Sequence, residues 1–218
     1  MRMLVRYATT AAMLAAPALF PGPARAQKWE VGGFAGGGFY TNASVTSPAG
    51  SGDVGFKNAT VFGGAITSNM YSYVGGELRY EYRMGDQFVK SSGTEATFGA
   101  RTHAIHYDFL IHFRPEGEPM RPFVAVGGGV KIFSGTGTER ASQPLSRLAL
   151  LTRTRETKGM GSVGAGLKLK VAPGVGVRVE VHDFITPFPR QVIAPSINAK
   201  ISGLLHDIVV TGGIFALF

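Results

Sequence analysis

The stretch that most narrows the possible folds is Leu205–Phe218, LHDIVVTGGIFALF. In an extended chain Ile208, Val210, Ile214, Ala216 and Phe218 share one face. Asp207, Val209, Thr211, Gly213, Phe215 and Leu217 share the other. A strand that stops on an aromatic has no tail to cover it. Such a strand is expected to close a sheet against the first strand and to sit in lipid, where an unpaired edge is not tolerated.

At the other end, residues 1–26 read as a cleavable export signal. Arg2 and Arg6 precede an apolar run from Ala8 to Phe20, then Pro21-Gly22-Pro23 and the small-residue site Ala24-Arg25-Ala26. The apolar run falls short of the ~20 residues that a spanning helix needs, which argues against a retained anchor. The domain is then 27–218, and loss of Arg2, Arg6 and Arg25 lowers the net charge from +8 to +5. The chain has no cysteine, so an exported fold here has no disulfide staple. Its 31 glycines follow no collagen period and lie inside apolar alternating runs, which marks them as strand residues of a curved sheet.

Eight alternating segments follow: 28–42, 59–68, 71–84, 97–114, 121–133, 159–171, 175–186 and 205–218. The second is the weakest. In the third, Leu78, Tyr80, Tyr82 and Met84 alternate with Glu77, Arg79, Glu81 and Arg83. In the seventh, Val175, Val177, Val179 and Val181 oppose Arg178, Glu180 and His182. Short turns (68–70, 115–120, 172–174) alternate with long polar connections at 43–58, 85–95, 134–158 and 187–203. Within the third long connection, Leu145, Leu148 and Leu151 recur three apart, which predicts a short helix there.

These segments are longer than the ~5–6 residues of an average soluble strand, and the alternation of short and long connections suits a barrel whose short turns face one side of a membrane. Aromatics at strand ends predict two girdles. Trp29, Tyr71, Tyr73, Phe113, Phe123 and Phe218 fall at the periplasmic rim, and Tyr40, Tyr82, Phe98, Phe133 and Phe184 at the outer rim. Eight strands enclose an interior that side chains fill. Glu77, Glu81, Asp108 and Glu180 are expected to meet Arg79, Arg83, Lys168, Lys170 and Arg178 there, because Arg or Lys facing lipid costs about 2–4 kcal/mol at the midplane. Such a paired network disfavours an open diffusion pore.

The gapped set Gly164-Ala165-Gly166-Leu167, Val177-Arg178-Val179-Glu180-Val181, Asp183-Phe184 and His206-Asp207 through Phe218 resembles the C-terminal half of the small bacterial outer-membrane β-barrel family, of OmpA/OmpX type. The resemblance extends over the whole of 27–218. It implies an all-β fold: an eight-stranded antiparallel up-and-down transmembrane β-barrel in the bacterial outer membrane. It also implies that Phe218 belongs to the signal read by the barrel assembly machinery, with periplasmic chaperones as transient partners. It implies function only weakly, since adhesins, structural anchors and lipid-modifying enzymes share the fold. No peptidoglycan-binding domain is read after Phe218, so a wall anchor is not expected.

Catalytic and metal chemistry find little support. His103 and His106 point to opposite faces of a strand, and His106 and His112 share a face but lie about 20 Å apart. His106, His182 and Asp108 converge across a lumen more simply as an internal polar network than as a metal site. Glu77 and Glu81 stand about 13 Å apart, outside the carboxylate spacing of glycosidases. Gly161-Ser162-Val163-Gly164-Ala165-Gly166 does not lie between a strand and a helix, so it is no dinucleotide loop. Lipid-modifying barrels need a His–Ser constellation at the outer rim; His103 has the height, without a serine beside it to mark a nucleophile. The expectation is therefore a non-enzymatic monomer without cofactor, with a structural or surface-interaction role. Its external basic loop, Arg140, Arg147, Arg153, Arg155 and Lys158 against Glu139 and Glu156, is expected either to meet outer-membrane lipids and lipopolysaccharide phosphates or to stay solvated. Nucleic acid is not an expected partner of an exported chain, despite the basic balance. A lipid-modifying barrel enzyme and a soluble lipocalin-like binder of apolar ligands are the alternatives.

Overall fold

The computed structural model describes residues 28–139 and 142–218. The export signal read in residues 1–26, and Arg140, lie outside the described residues. The strands in chain order are β1 (Trp29–Tyr40), β2 (Ala43–Ser47), β3 (Gly50–Phe56), β4 (Ala59–Ser68), β5 (Val74–Ser91), β6 (Thr94–His112), β7 (Met120–Gly135), β8 (Ala149–Leu151), β9 (Arg155–Ala172), β10 (Val175–Pro187), β11 (Ile193–Pro195), β12 (Lys200–Ser202) and β13 (Leu204–Leu217).

Eight of these close into an antiparallel ring, β5-β4-β1-β13-β10-β9-β7-β6 and back to β5. The seam between first and last strands runs from Glu30↔Leu217 to Tyr40↔Asp207. Trp29 and Phe218 lock its end, each amide donating to the other's carbonyl. No backbone edge of the ring is left open at that seam, as a bilayer requires.

Side-chain parity inverts the arrangement of a soluble protein. Val31, Phe39, Ile66, Leu78, Ile105, Phe109, Val126, Val163, Val179, Val210 and Ile214 stand exposed on the outer wall. Glu77, Arg79, Asp108 and His182 are at most 1% exposed, inside. An exposed apolar belt around a buried charged interior is stable only if hydrocarbon surrounds the belt. That inversion excludes the soluble lipocalin-like alternative. On β1, the outward Trp29 and Phe39 are separated by about 25 Å along the barrel axis at ~3.3 Å per residue and ~40° tilt, the height of an apolar belt.

Parity also fills the interior. Inward glycines lie under large inward rings: a Cβ on Gly164 would stand 2.7 Å from the His182 ring, and one on Gly166 would stand 2.6 Å from Phe123. This alternation of small and large side chains is how a narrow barrel accommodates its contents, and it explains much of the glycine content.

Where the strands leave the belt, the sequence expectations change. The connection at 85–95 is not a loop. β5 and β6 pair continuously from Val74↔Ile111 to Ser91↔Thr94 and project as a ribbon. Ser92 and Gly93, with φ of 49° and 79°, close it in two residues, a geometry that matches strand twist. The connection at 43–58 folds into the β2–β3 hairpin, and β3 then pairs with the upper part of β5. Among the described residues 134–158 holds no helix: Pro144 and left-handed Leu145 (φ 60°) break it, and β8 pairs with β11 instead. β12 adds to β2. Together these pieces make a cap with its own apolar core, in which Val45, Val54, Phe56, Val89, Phe133, Leu148, Leu151, Phe188, Val192 and Ile201 are buried.

The periplasmic girdle forms as expected from Trp29, Tyr71, Tyr73, Phe113 and Phe218, all exposed on the wall at the short-turn end. Phe123 does not join it: parity turns its ring inward, 1% exposed. The outer girdle is corrected more heavily. Tyr40, Phe98, Phe133 and Phe184 also point inward, into cap core or lumen, and only Tyr82 remains on the wall, tilted against Phe62 at 5.2 Å.

Candidate functional site

The interior is a chain of charges that the ring topology forces together. β5 and β10 stand opposite each other in the ring, and both carry alternating charges on their inward face. Arg178 reaches across to Glu77 with both terminal nitrogens, at 2.6 and 3.1 Å, and also pairs with Glu180. Arg79 reaches back to pair with Glu180, and its Nε donates to Glu81 at 2.8 Å. Thr67 donates to Glu77 at 2.6 Å and Thr211 to Glu180 at 3.0 Å, so the carboxylates gain neutral donors as well. The Arg79 guanidinium lies 3.7 Å over the Phe34 ring.

Towards the cap, Asp207 takes both Arg83 and Lys131, and Arg83 donates to the Gly38 carbonyl at 2.6 Å. Towards the short turns, Lys168 bonds Glu30 at 2.6 Å, whose other oxygen accepts from Asn69 at 2.8 Å. Asp108 lies on the wall between His106, 3.1 Å away, and His182, 3.8 Å away, with Ser162 donating to it at 3.3 Å. No group of three or more His, Cys, Asp or Glu among the described residues has the geometry to hold a metal ion.

Of the interior residues expected from the sequence, Glu77, Arg79, Glu81, Arg83, Asp108, Lys168, Arg178 and Glu180 are brought together. Lys170 is not. Its parity is inward, but it sits beyond the ring's narrow part and is exposed in a cleft at the short-turn mouth, beside Glu116 and Glu118. Sequence reasoning missed Glu30, Arg121, Lys131 and Asp207, which complete the interior. Each stands on the inward parity of its strand, so alternation alone would have found them. With them the interior balances: Glu30, Glu77, Glu81, Asp108, Glu180 and Asp207 against Arg79, Arg83, Arg121, Lys131, Lys168 and Arg178, all buried.

The family model for the outer membrane protein beta-barrel domain matches residues 8–188. The chain belongs to that family. Among solved structures, outer membrane protein OprG from Pseudomonas aeruginosa superposes with a TM-score of 0.58 at 10% identity, over 88% of this chain and 97% of that one. Neisserial surface protein A does so with a TM-score of 0.53 at 11% identity, over 87% and 97%. At these identities the likeness is one of fold. No curated protein sequence matches the chain.

A member of this family resides in the bacterial outer membrane, with short turns towards the periplasm and long connections outside. The cap of this outer-membrane barrel therefore faces the exterior, and the basic residues expected in an external loop can be located on it. Arg147 and Arg153 are exposed on the cap, with the Arg153 amide donating to Glu139 at 3.0 Å. Lys158 is engaged by Glu156 at 2.6 Å and is half-buried. Arg155 is not in a loop at all: it opens β9 and points outward from the wall. Lys57 clips the hairpin to the ribbon through Glu95 at 2.6 Å, and this hydrogen bond holds the Glu95 carboxyl below its usual range. His103 stands on the lipid-facing wall with its Nδ1 2.9 Å from the Tyr80 hydroxyl. Ser134, outward on the neighbouring strand, is one register step away, yet no hydrogen bond joins it to His103.

Proposed function

We propose that the chain is a sealed, non-enzymatic outer-membrane barrel whose working surface is its outer end, where the basic residues of the cap meet lipopolysaccharide. The observation that carries this reading is the interior itself. Ion pairs between opposite walls tie β5 to β10 through residues that are at most 5% exposed. A lumen crossed by such pairs has no continuous water column for solutes, and an apolar-cored cap lies over its outer mouth. Against catalysis stands the burial of a serine that lies near both a histidine and a carboxylate: Ser162, beside Asp108 and His182, is 1% exposed. The reading is of a structural or surface-interaction role, with the chain acting as a monomer.

The test is conductance of the purified protein in planar bilayers, beside a variant that removes the central pairs, Arg79→Ala with Arg178→Ala. Wild type is expected to give no steady current steps, and the variant to leak. A wild-type protein with stable ohmic steps would sink the sealed-barrel reading. Release of fatty acid or sugar from lipid A by the purified barrel would sink the non-enzymatic one.

A further inference from the structure

We infer that the outer wall carries a binding site for the phosphate groups of a lipid A molecule seated in the outer leaflet, built by Arg101 of β6 and Arg155 of β9 on either side of Ser134. This rests on the reading above and gives it a place that differs from the loop tip. Ser134 pairs with Arg101 on one side and with Arg155 on the other, so the three residues form one row across β6, β7 and β9. Residues paired in this way share a face. Arg101 and Arg155 are both exposed, and their Cα atoms lie roughly 10 Å apart, two strand spacings. His103 stands one step lower on the same wall, its Nδ1 2.9 Å from the Tyr80 hydroxyl.

Two like charges held together on a protein surface call for an anion. Asp86, on this face diagonal to Arg101 across β5 and β6, forms no ion pair with it among the described residues. The other acids nearby are engaged: Glu95 by Lys57, Glu139 by the Arg153 amide, and Glu156 by Lys158 and the Gln191 amide.

Height identifies the anion. Arg101 stands twelve residues above Phe113 of the periplasmic girdle, or about 30 Å along the axis, just past a hydrocarbon belt of about 25 Å. That is headgroup level. Directly below come His103, Ile132 and Thr157, and beneath Thr157 the β9 wall carries only glycine for two steps. A Cβ on Gly159 or Gly161 would meet nothing within 4 Å, and Gly161 pairs with Gly128. Val130 and Val163 flank this gap, exposed. A pair of guanidinium forks above an apolar wall with a glycine gap in it fits a phosphorylated glycolipid with its acyl chains laid against the wall. Arginine binds phosphate in two-pronged geometry, and the dry side of the site strengthens it.

The experiment is native mass spectrometry of the full protein, purified from outer membranes and delipidated in detergent, titrated with bisphosphorylated lipid A. Arg101→Ala and Arg155→Ala are each expected to weaken binding about tenfold, the loss of a charge-assisted contact. Removal of both phosphates from the lipid should weaken wild type at least as much as the double variant is weakened. Arg147→Ala with Arg153→Ala, on the cap, should weaken binding less than either wall variant does, and Lys170→Ala, at the short-turn mouth, should leave it within about twofold. Each variant is first checked for the heat-modifiable gel shift of a closed barrel. If the cap variant loses the lipid and the wall variant keeps it, the wall site is wrong and the loop reading stands. If neither loses it, both fall. Equal loss in both indicates diffuse charge attraction and overturns the wall site. Competition by millimolar inorganic phosphate overturns the commitment to a lipid.

Discussion

Replacing Arg178 by Met tests whether the interior is dry. The substitution keeps the volume roughly but strips Glu77 of a two-pronged partner at 2.6 and 3.1 Å and Glu180 of one of its two arginines. Glu77, Glu81 and Glu180 then face Arg79 alone, inside a wall where Glu77 is 0% exposed. Leaving a buried charge unpaired costs about 3–5 kcal/mol, roughly two to four decades in the folding constant. Arg178→Met with Glu77→Met removes one charge of each sign and restores the balance. The double variant should therefore be more stable than the single one, by at least about 1.5 kcal/mol, although it carries more substitutions. Urea unfolding in liposomes measures this directly. Trp29, the sole tryptophan, sits at the lipid-facing start of β1 and reports its transfer to water. A single-variant cost below about 1 kcal/mol, with simple additivity in the double, would mean that water solvates the orphaned carboxylate. The sealed lumen would then be refuted along with the reasoning that assigned it.

Three further outcomes are expected. Gly164→Val should destabilise the barrel by about 1–3 kcal/mol in the same urea assay, because its Cβ would stand 2.7 Å from the His182 ring; a neutral result would show that the ring is free to swing away. Phe188→Ala should cost about 3–5 kcal/mol confined to the cap core. Trypsin should then cut at Arg147 and Arg153 many times faster while the gel shift of the barrel persists, and simultaneous loss of both would show that cap and ring unfold as one unit. Deletion of Phe218 should lower the fraction of assembled barrel in cells while changing the urea midpoint of the refolded protein little, because the ring is half-exposed and its main fold contact is the backbone pair with Trp29. A large drop in the midpoint would assign Phe218 to stability rather than to assembly.

The ring was legible because its rule is local. Alternation in 175–186 fixes which side of β10 each residue occupies, and the bounds of β4, the weakest segment in the sequence, coincide with 59–68. The charges could be assigned to the interior for the same reason. What the sequence does not carry is height. Lys170 has the parity of Lys168 but lies one step nearer the mouth, and that step separates a buried ion pair from open solvent. The aromatics expected at the outer rim fail in the opposite way: Tyr40, Phe133 and Phe184 have the right height and the wrong parity. A girdle demands both, and only the periplasmic one satisfies them.

The connection at 85–95 shows why the cap stayed hidden. Above the bilayer a ribbon's outward face meets water, so its polar residues are indistinguishable from those of a loop. Asp86, Lys90, Ser91 and Glu95 look like solvated chain until β3 is seen to pair Val54 with Val89 and bury both. The same ambiguity placed Arg155 in a basic loop, when the pairing of β7 with β9 extends the wall as far as Ser134↔Arg155. Moving one arginine from loop to wall changes its neighbours: Ser134 and Arg101 share its row, and Thr157 stands below it. In a barrel whose interior charges satisfy one another, the charges left on its outer surface are the ones free to recognise a partner, and Arg155 belongs to that set only because its strand is longer than its sequence suggests.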